Sequence, residues 1–285
     1  MNKIIKDTFI NNLLSISVFF IFMGRAWQHL FWDAPYRALF WDEGLLKPLV
    51  EGVFGIPWFD YVTSPITDSV IQSIGFYTGV IYALAAVSTL FYERFRNKIL
   101  KFIILLGGWN LVLLSFLLMK EKFYHNAMFF EHSIQFGLPF VFVYYFKENI
   151  VFRNLELLLK VFIAIVFVSH GLYAVGYYPV PGKFVDMVIG IMHVSEVTAK
   201  IFLHTAAFLD FLVAVFIFIP KTSRIALYYA FGWGILTALA RIVSKFDVHF
   251  PIQTLHQELL ETIYRLAHGL VPLLVLLLEK KRKNH

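Results

Sequence analysis

The chain has 285 residues, 59% of them hydrophobic and 15% charged, against about 25% charged in a soluble domain, and its mean hydropathy is +0.70. This composition excludes an ordinary soluble domain and indicates a polytopic membrane protein. The net charge of +6 sits in loops beside apolar runs, so membrane topology explains it better than nucleic acid does; the absence of cysteine excludes disulfides, thiol relays, iron–sulfur clusters and cysteine-zinc sites.

A spanning helix needs about 20 predominantly apolar residues. The segments that qualify are 9–31, 70–92, 99–119, 126–146, 156–178, 197–219, 224–243 and 258–279, which predicts an all-α bundle of eight transmembrane helices. In the first, Lys3 and Lys6 precede an apolar run from Phe9. No small-residue cleavage site follows, so the run reads as a retained helix rather than a signal peptide. The segment 31–68 is the longest loop and carries Trp32, Trp41, Trp58, Pro35, Pro48, Pro57 and Pro65. Tryptophan favours the membrane–water boundary, so this loop is expected to lie on the bilayer as short helices and turns, forming a lid. In the second span, Gly75-Phe76-Tyr77-Thr78-Gly79 permits close helix packing. Glu93-Arg94-Phe95-Arg96-Asn97-Lys98 is a short charged turn, and Pro220 ends the sixth span.

Charge sets the orientation. One side collects Lys3, Lys6, Arg94, Arg96, Lys98, Lys101, Lys147, Arg153, Lys160, Lys221, Arg224 and Lys280-Lys281-Arg282-Lys283 against only Asp7, Glu93, Glu148, Glu156 and Glu279. The positive-inside rule makes that side cytoplasmic, with both termini, in a multi-pass protein of the cell membrane. His29, His125, His132, His170, His193, His204, His249, His256 and His268 then gather at the outer face, leaving only His285 inside. Histidine titrates near neutrality and ligates metals, so the outer face is where binding or chemistry is expected.

The chain also reads as two parallel four-helix repeats, 1–150 and 151–285, related by an axis along the membrane normal. Trp109 corresponds to Trp233, Gly137-Leu138-Pro139 to Gly269-Leu270-Val271-Pro272, Lys122-Phe123-Tyr124-His125 to Lys245-Phe246-Asp247-Val248-His249, and Gly24-Arg25 to Ser169-His170. The stretch from Phe167-Val168-Ser169-His170-Gly171 through Pro179, Pro181, Gly182 and Phe184, followed by another apolar helix, resembles the DoxX-like membrane family, moderately over 156–243 and weakly in the first half. The resemblance implies a four-helix unit and, for some members, subunits linked to quinone-dependent oxidation. It supplies no catalytic residue.

Candidate site residues fall on four spans. On the sixth, His193, Glu196, Lys200, His204 and Asp210 occupy a stripe about 120° wide. Glu196 and Lys200 read equally well as an i,i+4 ion pair, whereas His204 and Asp210 point to a polar cavity. On the eighth, Glu258, Glu261, Tyr264, Arg265 and His268 share one face. Arg265 needs an anion there, either Glu261 one turn earlier or a ligand carboxylate, phosphate or quinone carbonyl. The fourth offers His125, Met128, Glu131, His132 and Gln135, with His132 and Gln135 matching Arg265 and His268 in the repeat. The first offers Arg25, Gln28, His29 and Trp32, and the seventh Arg241, which alternatively snorkels to headgroups. His193-x-x-Glu196 and Glu131-His132 have metal-ligand chemistry but lack the Glu-x-x-His order of carboxylate-bridged bundles, so no metal is assigned. No hydrolase or phosphate-loop motif occurs.

These residues predict a polar pocket between the halves, opening outwards, lined by helices 4, 6 and 8 and the end of helix 1, and covered by the Trp-rich loop. Aromatic walls and a few cations suit an amphipathic ligand, a quinone or a lipid, within an oxidoreductase system. Two further readings stand beside it: a proton-coupled transporter relaying through His204, Asp210 and His268, and a noncatalytic subunit of a membrane complex.

Overall fold

Fourteen α-helices and no strand make up the described part of the chain. The structure is a computed structural model describing residues 8–147 and 151–283. Lys3, Lys6, Asp7, Glu148 and His285, and the side chain of Lys283, lie outside the described residues.

The long helices follow the apolar runs. They are α1 (Thr8–Phe31), α5 (Pro65–Phe95), α6 (Lys98–Glu121), α9 (Phe152–Ala174), α11 (Glu196–Phe216) and α12 (Ser223–Lys245). Together with the run Pro251–Arg282, they make seven stretches among the described residues long and apolar enough to cross a membrane. The chain is thus a multi-pass integral membrane protein. Local chemistry sets several helix starts. The hydroxyl of Ser64 accepts from the backbone N–H groups of Ile66 and Thr67, with Pro65 in the first turn; Asn97 caps α6 and Ser195 caps α11. Each satisfies a donor that the first helical turn leaves open.

The expected span 126–146 is not one helix. It divides into α7 (Asn126–Phe130) and α8 (Ser133–Tyr145), parted at Glu131 and His132, and neither piece alone is long enough to cross. The last stretch divides too, into α13 (Pro251–Arg265) and α14 (Ala267–Lys283) around Leu266. Both second pieces contain an interior proline, Pro139 in α8 and Pro272 in α14. Proline supplies no N–H to the carbonyl four residues back and clashes with it, so helical bonding is weakened at Gln135 and His268. Polar side chains concentrate at these two interruptions.

Helix α1 packs along α5 and crosses α13, α9 packs along α11, and α12 along α14. The α1–α13 crossing is tight: a Cβ on Gly24 would come within 2.9 Å of the Leu260 carbonyl oxygen and the Tyr264 nitrogen. The Gly75–Gly79 motif packs as expected, with Gly79 against Leu30 and His29 of α1. In lipid such packing stabilises by contact rather than by hydrophobic burial. The core runs through Ile10, Val18, Ile21 and Phe22 of α1, Ile104 and Leu111 of α6, Phe142 of α8, Ile163 of α9, and Val271 and Val275 of α14. Outward-facing Phe76, Leu84, Val87 and Phe91 of α5 and Leu236 and Val243 of α12 are exposed, which suits contact with lipid tails.

The loop 31–68 folds into α2 (Arg37–Phe40), α3 (Glu43–Gly52) and α4 (Trp58–Thr63), the short helices expected of it. Tyr36, Ala34, Ile71 and Leu117 form a small buried cluster beneath it. Arg37 pairs with Asp33 at 2.6 Å and Asp68 at 2.7 Å, and Lys120 pairs with Asp42. The guanidinium of Arg37 is held in its charged form mainly by its bond to Asp68. Between α9 and α11 the chain forms α10 (Gly182–Met192), which lies across α11 and α12.

Candidate functional site

A cavity of about 540 Å³ lies between α9, α10, α11, α12 and the α13–α14 break, within the range of small-molecule sites. Its walls are largely apolar: Phe167, Phe184, Met187, Phe202, Trp233 and Leu239 among others. One region is polar, formed by His170, Arg241, Arg265 and His268, and Asp210 lines it separately.

The polar region belongs to a buried network centred on Glu131. Its Oε1 lies 3.4 Å from Nη2 of Arg265 and 3.7 Å from Nε2 of His132, and its Oε2 lies 3.9 Å from Nε2 of His170. The sequence offered Arg265 either Glu261, one turn earlier, or a ligand anion. Glu261 instead pairs with Arg241 at 3.3 Å and Lys183 of α10 at 3.0 Å, and Arg265 is matched by a carboxylate from the other half of the chain. Arg241 does not snorkel outwards. It is buried, its Nη1 donating to the Thr237 carbonyl at 2.6 Å.

Arg25 lies behind this network. Its Nε and Nη2 donate to Oε1 of Gln135 at 3.0 and 2.6 Å, its Nη1 donates to Gln28 at 2.7 Å, and its guanidinium stacks 3.9 Å from the ring centre of Tyr264. Amide oxygens and a ring face, rather than a carboxylate, accept this buried cation. Arg25, Arg241 and Arg265 thus outnumber Glu131 and Glu261 in the network, and the hollow it borders is electropositive. Three donors of the network remain without hydrogen-bond partners, Nε of Arg265, Nε2 of Gln135 and, if it carries the proton, Nε2 of His170. His132 turns Nδ1 towards the Met128 carbonyl at 2.8 Å; a carbonyl only accepts, so that nitrogen carries a proton and Nε2 faces Glu131. His268 meets carbonyls with both ring nitrogens, Nδ1 at 3.0 Å from Arg265 and Nε2 at 3.4 Å from Glu131.

The helix-6 stripe does not assemble as expected. Only Asp210 is buried at the cavity; His193, Glu196, Lys200 and His204 are exposed. Glu196 and Lys200 form a solvent- or lipid-facing pair at 2.6 Å. The buried face of α11 runs Ala199, Leu203, Ala206, Ala207 and Asp210, and His204 lies just outside it. The broad predicted stripe joined two neighbouring faces of one helix. The transporter relay through His204, Asp210 and His268 is therefore not assembled. His29 is buried but faces Tyr36 and Tyr82, with ring centres 5.8 and 5.0 Å away. It lies off the network although Arg25, one turn earlier, is in it.

Two more expectations about the pocket change. Helices 4 and 1 do not line it: Glu131, His132 and Gln135 of the α7–α8 break and Arg25 of α1 form the layer behind. Nor does the Trp-rich loop cover it. That loop borders a separate cleft of about 730 Å³ with Trp32, Asp33, Arg37 and Gln72, and α10 covers the cavity instead. Sequence reasoning omitted His170 and Lys183 from the site. The expected alignment of Ser169-His170 with Gly24-Arg25 was the signal that could have found His170; Lys183 carried none, because its role depends on how α10 folds over α12. Among the described residues no group of three or more histidine or acidic side chains is arranged to hold a metal ion.

Comparison with protein-family models, curated proteins and solved structures finds no match for this chain.

Proposed function

We propose that this protein binds an amphipathic ligand, a lipid or a quinone, with its polar end at His170, Arg241, Arg265 and His268 and its apolar body between α9, α10, α11 and α12. The observation that carries this reading is an apolar cavity of about 540 Å³ ending on buried cations that their own carboxylates incompletely satisfy. Such an end favours a ligand group rich in acceptors: a carboxylate, phosphate or quinone carbonyl. Exposed Leu236, Leu239 and Val243 beside the cavity suit lateral access from lipid. By the positive-inside rule both termini are cytoplasmic and the ligand comes from the outer leaflet.

We also propose that the chain is two parallel four-helix repeats, with 126–146 as a broken eighth crossing, on the plan of DoxX-like proteins. Crossed contacts support this. If Arg25 corresponds to His170 and Glu131 to Tyr264, then the contact of Arg25 with Tyr264 is the counterpart of His170 with Glu131. Likewise Arg25–Gln135 answers His170–His268, and the proline four residues after Gln135 answers the one four residues after His268.

The test is retention. Protein purified in mild detergent is expected to carry lipid or quinone detectable by mass spectrometry. Ala206→Trp, which fills the cavity, and Arg265→Ala, which removes a cation from its polar end, are expected to release it. His204→Ala, on the exposed face of α11, is expected to leave it bound. Retention unchanged in both of the first two variants overturns the reading.

A further inference from the structure

The cavity has a second polar point that binding of a simple amphiphile leaves unused. Asp210 is 4% exposed and lines the cavity, and its Oδ1 is buried without a hydrogen-bond partner. It stands on α11, whereas Arg241 stands on α12, and no hydrogen bond or ion pair joins the two. The rest of the lining is largely apolar: Phe202, Leu203 and Ala206 on α11, Leu236 and Ala240 on α12, Val166 and Phe167 on α9, with the Thr237 hydroxyl already donating to the Trp233 carbonyl.

A carboxyl group buried in lipid surroundings without a partner is costly. A ligand that meets the cations with an acceptor and reaches down the cavity is positioned to satisfy it. Whether ionised or protonated, the carboxyl retains an oxygen able to accept a hydrogen bond. The group that fits it in both states is a hydroxyl. We infer that the cavity selects an elongated amphiphile polar at both ends, with an anionic or carbonyl head at Arg241 and Arg265 and a hydroxyl at the far end of its apolar body, donating to Asp210. This rests on the amphiphile reading above and specifies its ligand class.

The experiment compares palmitate with ω-hydroxypalmitate, together with shorter ω-hydroxy acids, by equilibrium dialysis against the purified full chain in detergent. One hydrogen bond to an otherwise unpartnered buried acceptor is expected to give a preference of about three- to tenfold for a hydroxy acid of matching length. Asp210→Leu is expected to erase the preference, bringing the affinities of the two acids together. Asp210→Asn, which keeps a side-chain oxygen acceptor, is expected to retain part of it and guards against a folding defect in the leucine variant. Arg265→Gln is expected to weaken both acids alike. Palmitate binding with no preference at any chain length, or a preference that persists in Asp210→Leu, overturns the inference and leaves the amphiphile reading standing. Binding of neither acid counts against both.

Discussion

The two halves of the chain treat the hollow beside their first helix differently. In residues 8–147 the segment after α1 packs Tyr36 and Ala34 against Ile71 of α5 and Leu117 of α6, backed by Leu39 and Phe40, and borders an open cleft of about 730 Å³ edged by Asp33, Arg37 and Gln72. Two acid–base ties, Arg37 with Asp68 and Lys120 with Asp42, hold that segment down. In residues 151–283 the segment after α9 forms α10, which docks on α12 where Gly190 meets the Ser244 carbonyl. Its Phe184, Met187 and Val188 line a cavity of about 540 Å³ whose walls are largely apolar. One half thus carries a cleft edged by paired charges and the other an apolar cavity that ends on cations.

The halves meet at Glu131, and removing its charge is expected to disturb both most. Glu131→Gln leaves Arg265 buried without its carboxylate, and breaking a buried pair costs about 3–5 kcal/mol. Because the contact is 3.4 Å long, the lower end of that range, about 3 kcal/mol, is expected in denaturation of the detergent-solubilised protein. Glu196→Gln provides the contrast. Its bond to Lys200 is shorter, 2.6 Å, but both side chains are exposed, and no measurable loss is expected. Equal effects from the two would show that the Glu131 network is as solvated as the surface and would remove its special standing.

Tyr36→Ala tests the cleft of the first half. Losing a buried aromatic ring leaves a cavity and costs about 3 kcal/mol, a little of which relaxes if the loop settles into the space. If the tyrosine is what keeps the cleft beside α1 and α5 from holding a ligand, the variant deepens that cleft, and retained amphiphile per chain rises in mass spectrometry. Destabilisation without added ligand would place the difference in the polar lining: the first half offers Arg25, already bonded to Gln135 and Gln28, where the second offers Arg265 with a free Nε.

The sequence-based expectations track this division. Apolar run length identified the seven stretches long and apolar enough to cross, because a bilayer imposes one long, simple signal. It missed the break in 126–146, since Glu131 and His132 occupy an otherwise apolar stretch and two polar residues do not interrupt a hydropathy window. Periodicity placed Glu258, Glu261, Tyr264, Arg265 and His268 on one face; Glu258, Tyr264 and His268 are buried and Glu261 and Arg265 partly so, but the break at Leu266 puts His268 on the next helix. It failed on α11, where His204 and the Ala199–Leu203–Ala206–Asp210 ridge lie on adjoining faces that a broad stripe merges. The partner of Arg265 was illegible for a different reason. Glu261 is near in sequence and Glu131 is 134 residues away, so local spacing favours the wrong carboxylate. That choice is settled only by how the halves fold together.

The smallest expected effect concerns the acid that pins the loop after α1. Asp42 accepts from Lys120 and from the backbone N–H of Leu45, and its carboxyl is held below the ordinary value of 3.8, chiefly by the bond to Lys120. A carboxyl whose pKa is lower folded than unfolded stabilises the folded form above its unfolded pKa, and that contribution fades as pH falls through the folded value. Loop docking is therefore expected to be constant from neutrality to about pH 4 and to loosen only below it. Amide hydrogen exchange across α3, normalised for its intrinsic pH dependence, reads this directly. In Asp42→Asn, protection across α3 is expected to be reduced at neutral pH and to lose its acid dependence. Because α10 is tied separately, through Lys183 to Glu261, exchange across 182–192 is expected to be the same in Asp42→Asn as in the parent protein. Loosening of both segments together would mean that the first loop and α10 are held by a shared element rather than independently.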